Sequence, residues 1–235
     1  MAGQGTAIAA RLIIVEGIMG SGKTTTVLRT TDRLNASGIP AIGITEGTNP
    51  HPIRYDWDHP WSDVRVGELV SGQVAKWHAY VAGAQATEQV TLVDGQLFHG
   101  NLTSLFLLEA APSMIAGYCR EIVGALTPLS PHLVYFRQDD VAAAIRAISA
   151  ERGTAWVDYQ TNWKLTAPYA VRRGLTGLDG LIALYRAYRA LTDQLFDELD
   201  IPKLCIENSR REWPEYDRLI DQFLLRTPPQ SGLRT

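Results

Sequence analysis

Residues 13–26 read IIVEGIMGSGKTTT, and the spacing within that stretch decides the fold. Gly17, four intervening residues, then Gly22, Lys23 and Thr24 satisfy the phosphate-binding pattern GxxxxGK[ST]. In this pattern glycines let backbone N–H groups converge on phosphate oxygens, the lysine reaches the terminal phosphates, and the next hydroxyl ligates magnesium. Gly17, Gly20 and Gly22 supply the permissive backbone, so Gly17, Met19, Gly20, Ser21, Gly22, Lys23, Thr24 and Thr25 are the candidate phosphate-binding residues. The flanks agree with the loop. Leu12 to Val15 predicts a short buried strand, and Thr24 to Leu34 predicts a helix whose N-terminus adds partial positive charge where a polyanion lies. A glycine-rich turn before an ordinary helix is the alternative, and the strand and helix in the required places count against it.

Composition sets the frame for that loop. The chain of 235 residues is 46% hydrophobic and 20% charged, ordinary for a soluble α/β protein with a sizeable core. Nothing in the middle reads as a linker, so one domain is expected over 1–225, followed by a flexible tail over 226–235, RTPPQSGLRT. A net charge of −3 gives no general attraction to nucleic acid or to an anionic membrane. The opening MAGQGTAIAARLII lacks the pattern of a secretory signal, and no apolar run approaches a membrane span; a cytoplasmic protein is expected. Cys119 and Cys205 sit in apolar surroundings, which suits reduced core thiols.

Short β-branched runs alternate with longer helical stretches: RLIIVE, IPAIGITE, VTLVD, PHLVYF and PKLCIE. Five such strands predict a three-layer α/β/α fold with a mainly parallel sheet, whose ligands bind beyond the carboxyl ends of the strands. The strand ends therefore matter: Glu16 and Gly17, Glu46, Asp94, Arg137 and Glu207. DDVAAAIRAISAERG and GLDGLIALYRAYRALTDQLFDEL carry helical apolar stripes, the second with a polar cap near Thr176 to Asp179. Between them, TAWVDYQTNWKLTAPYAVRRGLT has no clear period, and a lid over about 152–176 is the expectation. The helix in SDVRVGELVSGQVAKWHAYVAGAQAT mixes small and apolar residues. It suits a homodimer contact, although burial against its own sheet accounts for the same pattern.

With these features in view, the chain resembles the P-loop nucleoside and nucleotide kinases, nearest the deoxynucleoside kinase and thymidylate kinase branch. VEGIMGSGKTTT is similar to that branch's opening strand and loop, GITEGTNP to the segment after the second strand, and TLVDGQLFHGNLTSLFL to the segment after the third. PHLVYFRQDDVAAAIRAISAERG resembles the fourth strand and the helix leading to an arginine-bearing lid. The resemblance implies ATP and magnesium as cofactors, a small-molecule acceptor approached by Glu46, and Arg152 at the phosphates; Arg146 fits the family's helix position less well. The family's arginine after the third-strand acid is Gly95 here, which counts against a nucleoside monophosphate as acceptor.

Roles follow from the needs of phosphoryl transfer, in which negative charge is spread over crowded oxygens. Lys23 neutralises the β and γ phosphates, Thr24 and Asp94 are the candidate magnesium ligands, and Arg152, Arg172 and Arg173 cover the γ-phosphate when the lid closes. A solvated basic surface explains the Arg172–Arg173 pair equally well. Glu46 and Asp94 are both candidate bases, and the sequence does not divide the roles. Arg54, Trp57, His59, Trp61 and Arg65 share one proline-restricted loop suited to a flat or anionic acceptor. Trp77 and Phe98 are further pocket candidates, with core burial the commoner fate of such residues. The histidines show no metal-ligand spacing. The second hypothesis is a regulatory P-loop ATPase with no acceptor. A GTPase's Asn-Lys-x-Asp segment and a motor ATPase's adjacent acids are both missing, which favours the kinase.

Overall fold

The structure, a computed structural model, describes residues 8–57 and 60–225. The opening stretch forms the strand, loop and helix it predicts. β1 (Leu12–Gly17) is buried along its whole length and pairs in parallel on both sides, which requires the continuous apolar run of a central strand. Its neighbours are β3 (Val90–Asp94) and β4 (Pro131–Arg137), with β2 (Ala41–Ile44) and β5 (Lys203–Glu207) at the edges, in the order β2-β3-β1-β4-β5. All four ladders are parallel, and the register sets Val15 beside Asp94 and Gly17 beside Phe136. The strand ends named from the sequence therefore converge on one rim.

Alternation along β1 splits the interior in two. Leu12 and Ile14 face the larger core, while Ile13 and Val15 face a smaller one. The smaller core lies under α1 (Lys23–Ala36) and α9 (Trp213–Leu224). Ion pairs bind these helices side by side: Arg33 reaches Asp217 at 2.9 Å and Asp221 at 3.0 Å, and Arg29 also pairs with Asp217.

The larger core lies under α2 (Val66–Ala84), α3 (Asn101–Leu107), α4 (Pro112–Leu126), α5 (Val141–Arg152), α6 (Thr154–Lys164), α7 (Pro168–Arg172) and α8 (Gly177–Glu198). The Asp140 side chain caps α5 by accepting from the Ala143 N–H at 2.9 Å, and Gly153 at φ 82° ends it. Thr176 occupies the N-cap of α8 without a side-chain hydrogen bond. α2 packs chiefly on α4 rather than on the sheet.

Two expectations need correction. The segment 154–176 is not irregular: it forms α6 and α7. No apolar stripe reveals α6 because the residues it buries are Gln160 and Lys164, both polar. Cys205 is not a core thiol. It lies exposed on edge strand β5, whereas Cys119 is buried and burial pushes its thiol up to about 12. Both are free. A thiol reagent at pH 8 is expected to modify Cys205 at least about tenfold faster than Cys119; peptide mapping of the labelled protein reads the ratio, and equal labelling would contradict the burial.

Among the described residues no helix is long and apolar enough to cross a membrane. The expected tail over 226–235 lies outside the described residues, as does His59.

Candidate functional site

The chain needs special backbone geometry to turn from β1 into α1. Gly17 sits at φ 147° with no room for a side chain: a Cβ there would lie 2.6 Å from Ser21 Oγ and 2.7 Å from the Phe136 carbonyl. Gly22, at φ 87°, is the residue before α1, and the Trp213 ring lies directly over its α-carbon. The loop is braced from the other edge of the sheet by Asn208, whose Nδ2 donates to the Ser21 carbonyl at 2.6 Å. Gln138 in turn hydrogen-bonds Asn208.

A cavity of about 360 Å³ opens over this loop. Met19, Gly20, Gly22, Lys23, Thr24 and Thr25 form its floor, and Arg152, Trp156, Arg211 and Trp213 form its walls. Lys23 is buried, with Nζ donating to the Ile18 carbonyl at 3.3 Å. The Thr24 hydroxyl donates to Asp94 Oδ2. Asp94 is fully buried; burial raises its pKa against the pull of Lys23, and its Oδ1 has no hydrogen-bond partner. A hydroxyl touching a carboxylate whose second oxygen is unspent fits a magnesium site, since that ion takes one or two protein oxygens and completes its shell with phosphate and water.

Beyond the rim lies a second cavity of about 530 Å³. Trp57 and Trp163 line it, joined through Trp61 with ring centroids 4.8 and 5.3 Å apart. Trp61 Nε1 also donates to the Trp163 carbonyl at 2.9 Å, which ties the proline-restricted loop to the end of α6. Arg54 lines the same cavity and donates to the Glu46 carbonyl at 2.9 Å. Glu46, His99, Gln160 and Lys164 line both cavities and so form the boundary between them.

Glu46 and His99 face each other across that boundary, with His99 Nε2 2.9 Å from Glu46 Oε1. Burial opposes ionisation of Glu46, but the neighbouring His99 and its hydrogen bond, with Lys23 and Lys164, hold the carboxyl below the usual carboxylate range. Burial and Lys23 lower the pKa of His99.

The turn that carries His99 hangs on a residue given no role by the sequence. Glu16, at the end of β1, accepts the backbone N–H groups of Leu97 and Phe98 through Oε1 at 2.8 and 2.7 Å, and that of His99 through Oε2 at 2.9 Å. Burial raises its pKa to about 7 against those three bonds and the attraction of Lys23. Gln96, in the same turn, is held at φ 83°, and Arg211 above the phosphate loop at φ 56°. Such strained backbone in non-glycine residues gathers at binding sites.

The structure therefore brings together Lys23, Thr24, Asp94, Glu46, Arg152, Arg54 and Trp57. Other candidates lie off the cleft. Trp77 is fully buried in the core on α2, and the Phe98 ring packs edge-on against Tyr135, so neither side chain lines a cavity. Arg172 and Arg173 do not reach the phosphate loop as placed: both pair with Glu109, at 3.0 and 2.6 Å, and Arg173 lies 3.8 Å from the centre of the Tyr169 ring. Arg146 pairs with Asp179 at the surface. The sequence reading missed Lys164, His99, Gln160 and the Arg211–Trp213 wall. One signal for Lys164 was available: only four lysines occur in the chain, against many arginines.

No family model matches the chain, and no curated protein sequence matches it. Solved structures do. The deoxyadenosine kinase of M. mycoides with bound dATP superposes at a TM-score of 0.52 with 14% identity, over 92% of this chain and 100% of that one. The YorR protein of Bacillus subtilis, in complex with phosphorylated GDP, gives 0.49 and 13%, over 90% and 94%. At such identity the first likeness is one of fold: the chain has the three-layer α/β/α P-loop architecture that it shares with a deoxyadenosine kinase.

Proposed function

We propose that the protein is an ATP- and magnesium-dependent small-molecule kinase that phosphorylates a nucleoside-like or other hydroxylated metabolite. The observation that carries this reading is the pair of cavities meeting at a charged boundary. A regulatory ATPase needs the cavity over the phosphate loop but not the aromatic-walled one beside it.

ATP supplies the phosphoryl group; Thr24 and Asp94 would hold magnesium, which would offset charge on the phosphates. The loop N–H groups and Lys23 hold the phosphate chain, and Arg152 adds positive charge at the mouth of the cavity. Arg211 and Trp213 offer a flat wall to the nucleotide base. Glu46, kept ionised beside His99, receives the acceptor's hydroxyl proton as the new oxygen–phosphorus bond forms and the bond to the β-phosphate oxygen breaks. Asp94 is occupied with Thr24, which leaves Glu46 as the base. The helices over 152–176 act as the lid, and closure that brings Arg172 or Arg173 to the phosphates must first release Glu109.

The test is transfer from labelled ATP with magnesium to pooled nucleosides, nucleotides and hydroxylated metabolites, with Lys23→Ala as control. A labelled product that disappears in the variant establishes the kinase and names its acceptor. ATP hydrolysis indifferent to every pool would overturn the reading in favour of the regulatory ATPase. Glu46→Gln is expected to lower the transfer rate about 10²–10⁴-fold while ATP affinity stays within a few-fold. A change in affinity with an unchanged rate would remove Glu46 from the role of base.

A further inference from the structure

Lys164 ends α6 with its ammonium at the boundary of both cavities, and its surroundings are unusual for a buried cation. The residue is 5% exposed. Its Nζ donates to one protein acceptor, the neutral Oε1 of Gln160 one turn back on the same helix, and lies 4.5 Å from the centre of the Trp163 ring. Among the described residues no carboxylate comes within ion-pair distance of it. Lys203 shows how a structural lysine is satisfied in this chain: its Nζ donates to the carbonyls of Phe196, Asp197 and Leu199 at 2.7, 2.9 and 2.7 Å. An ammonium carries three donors, so Lys203 has spent all of its own and Lys164 one.

An uncompensated buried charge is costly to keep, and a site that retains one gains by meeting an anion there. The charged and titratable groups facing Lys164 are Glu46 from the loop after β2, Lys23 from α1, His99 from the turn after β3 and Tyr185 from α8. Glu46 is already engaged by His99, and Lys23 repels. Burial, with that repulsion, brings the Lys164 ammonium down to about 7 despite the attraction of Glu46. A polyanion entering over the phosphate loop reverses the balance.

We propose that Lys164 is the phosphoryl-receiving cation of this site: its ammonium contacts the terminal phosphate of the bound triphosphate and keeps that contact as the phosphoryl group crosses into the acceptor cavity. It makes no covalent bond. Lys23 stays with the phosphate loop on the donor side, so the two lysines hold the moving group from opposite sides. Gln160 and Trp163 fix the ammonium's position, and the Trp61 bond to the Trp163 carbonyl fixes the end of the helix that bears it. This assignment rests on the kinase reading for its acceptor half alone.

The experiment compares the affinity of the full chain for a non-hydrolysable ATP analogue and for ADP, by calorimetry with magnesium, in wild type, Lys164→Met and Lys164→Arg. The methionine variant should lose affinity for the ATP analogue by roughly ten- to a hundredfold and keep its affinity for ADP, whereas arginine restores most of the difference. Thermal unfolding separates this from a structural role: with the unpaired charge gone, Lys164→Met is expected to melt about 3 °C higher. Equal losses for both nucleotides, or no loss for either, overturn the proposal, as does a lower melting temperature with both affinities reduced. Should Lys164→Met not fold, Lys164→Gln carries the same comparison. Loss of the ATP preference in a protein that phosphorylates nothing would sustain the terminal-phosphate contact and reject the kinase. Transfer by Lys164→Met at the wild-type rate, with the preference intact, would reject Lys164 alone.

Discussion

Lys23→Ala is expected to reduce phosphoryl transfer by at least about 10³-fold while the protein stays folded. Lys23 lies in a hollow with Glu16, Glu46, Asp94, His99 and Lys164 as its titratable neighbours, and its one protein hydrogen bond is to the Ile18 carbonyl. Those acids repel an incoming triphosphate, so removing Lys23 leaves Lys164 to offset them and weakens the attraction of the hollow for phosphate. Backbone N–H groups carry only partial charges, so they replace the loss of a full one poorly. Lys23→Arg should rescue little, because a planar guanidinium replaces a compact ammonium on a buried stem. Initial transfer rates, paired with melting curves to verify folding, check both variants. A rate within tenfold of wild type for Lys23→Ala would mean that the loop holds something other than a reacting phosphate.

Glu16→Ala is expected to produce the largest loss of stability of any single change at the site, about 3–5 kcal/mol at pH 5, or about 10 °C in melting temperature. The carboxyl group is the acceptor for three consecutive backbone N–H groups, and alanine leaves them without it inside the protein. Tyr188 braces the same turn by donating to the Phe98 carbonyl, and it accepts from Thr103 at 2.9 Å, so the damage reaches α8. The sign of the pH effect follows from the raised pKa. Between the ordinary value of 4.5 and about 7 the native chain holds the Glu16 proton more tightly than the unfolded chain does, so stability from this group falls as pH rises through that window. The difference between wild type and Glu16→Ala should therefore shrink by about 2 kcal/mol from pH 5 to pH 8. Denaturant unfolding at the two pH values measures it, and a difference that grows with pH would contradict the assignment.

Glu16 also illustrates why part of the site could not be read from the chain. Its position at the end of β1 is visible, because a buried run followed by a glycine loop has a strong local signature. Its partners lie more than eighty residues further on, at Leu97 to His99, and only the parallel pairing of β1 with β3 brings that turn beside it. The five strands, the phosphate loop and the acids at Glu46 and Asp94 were legible because each depends on local periodicity or on fixed spacing. α6 was not, because a helix that turns Gln160 and Lys164 towards a cavity has no apolar stripe to betray it. Arg172 and Arg173 show the opposite limit of local spacing. Adjacent arginines in a suspected lid point to phosphate, yet Glu109, at φ 56° just past α3, meets them both. Cys205 looked apolar from its neighbours in sequence, and only the strand order shows that β5 has one side open.

The contacts along α9 have a consequence for biosynthesis. At its start Trp213 covers Gly22 of the phosphate loop, and further along Asp217 and Asp221 hold Arg29 and Arg33 on the helix behind that loop. The loop leaves the ribosome long before α9 does, since most of the described chain lies between them. A nascent chain carrying every glycine, lysine and threonine of the loop still lacks one wall of its cavity and the splint along its helix. The cavity over the loop is thus completed only when α9 emerges, and a chain cut short before residue 213 retains the motif without that wall and splint.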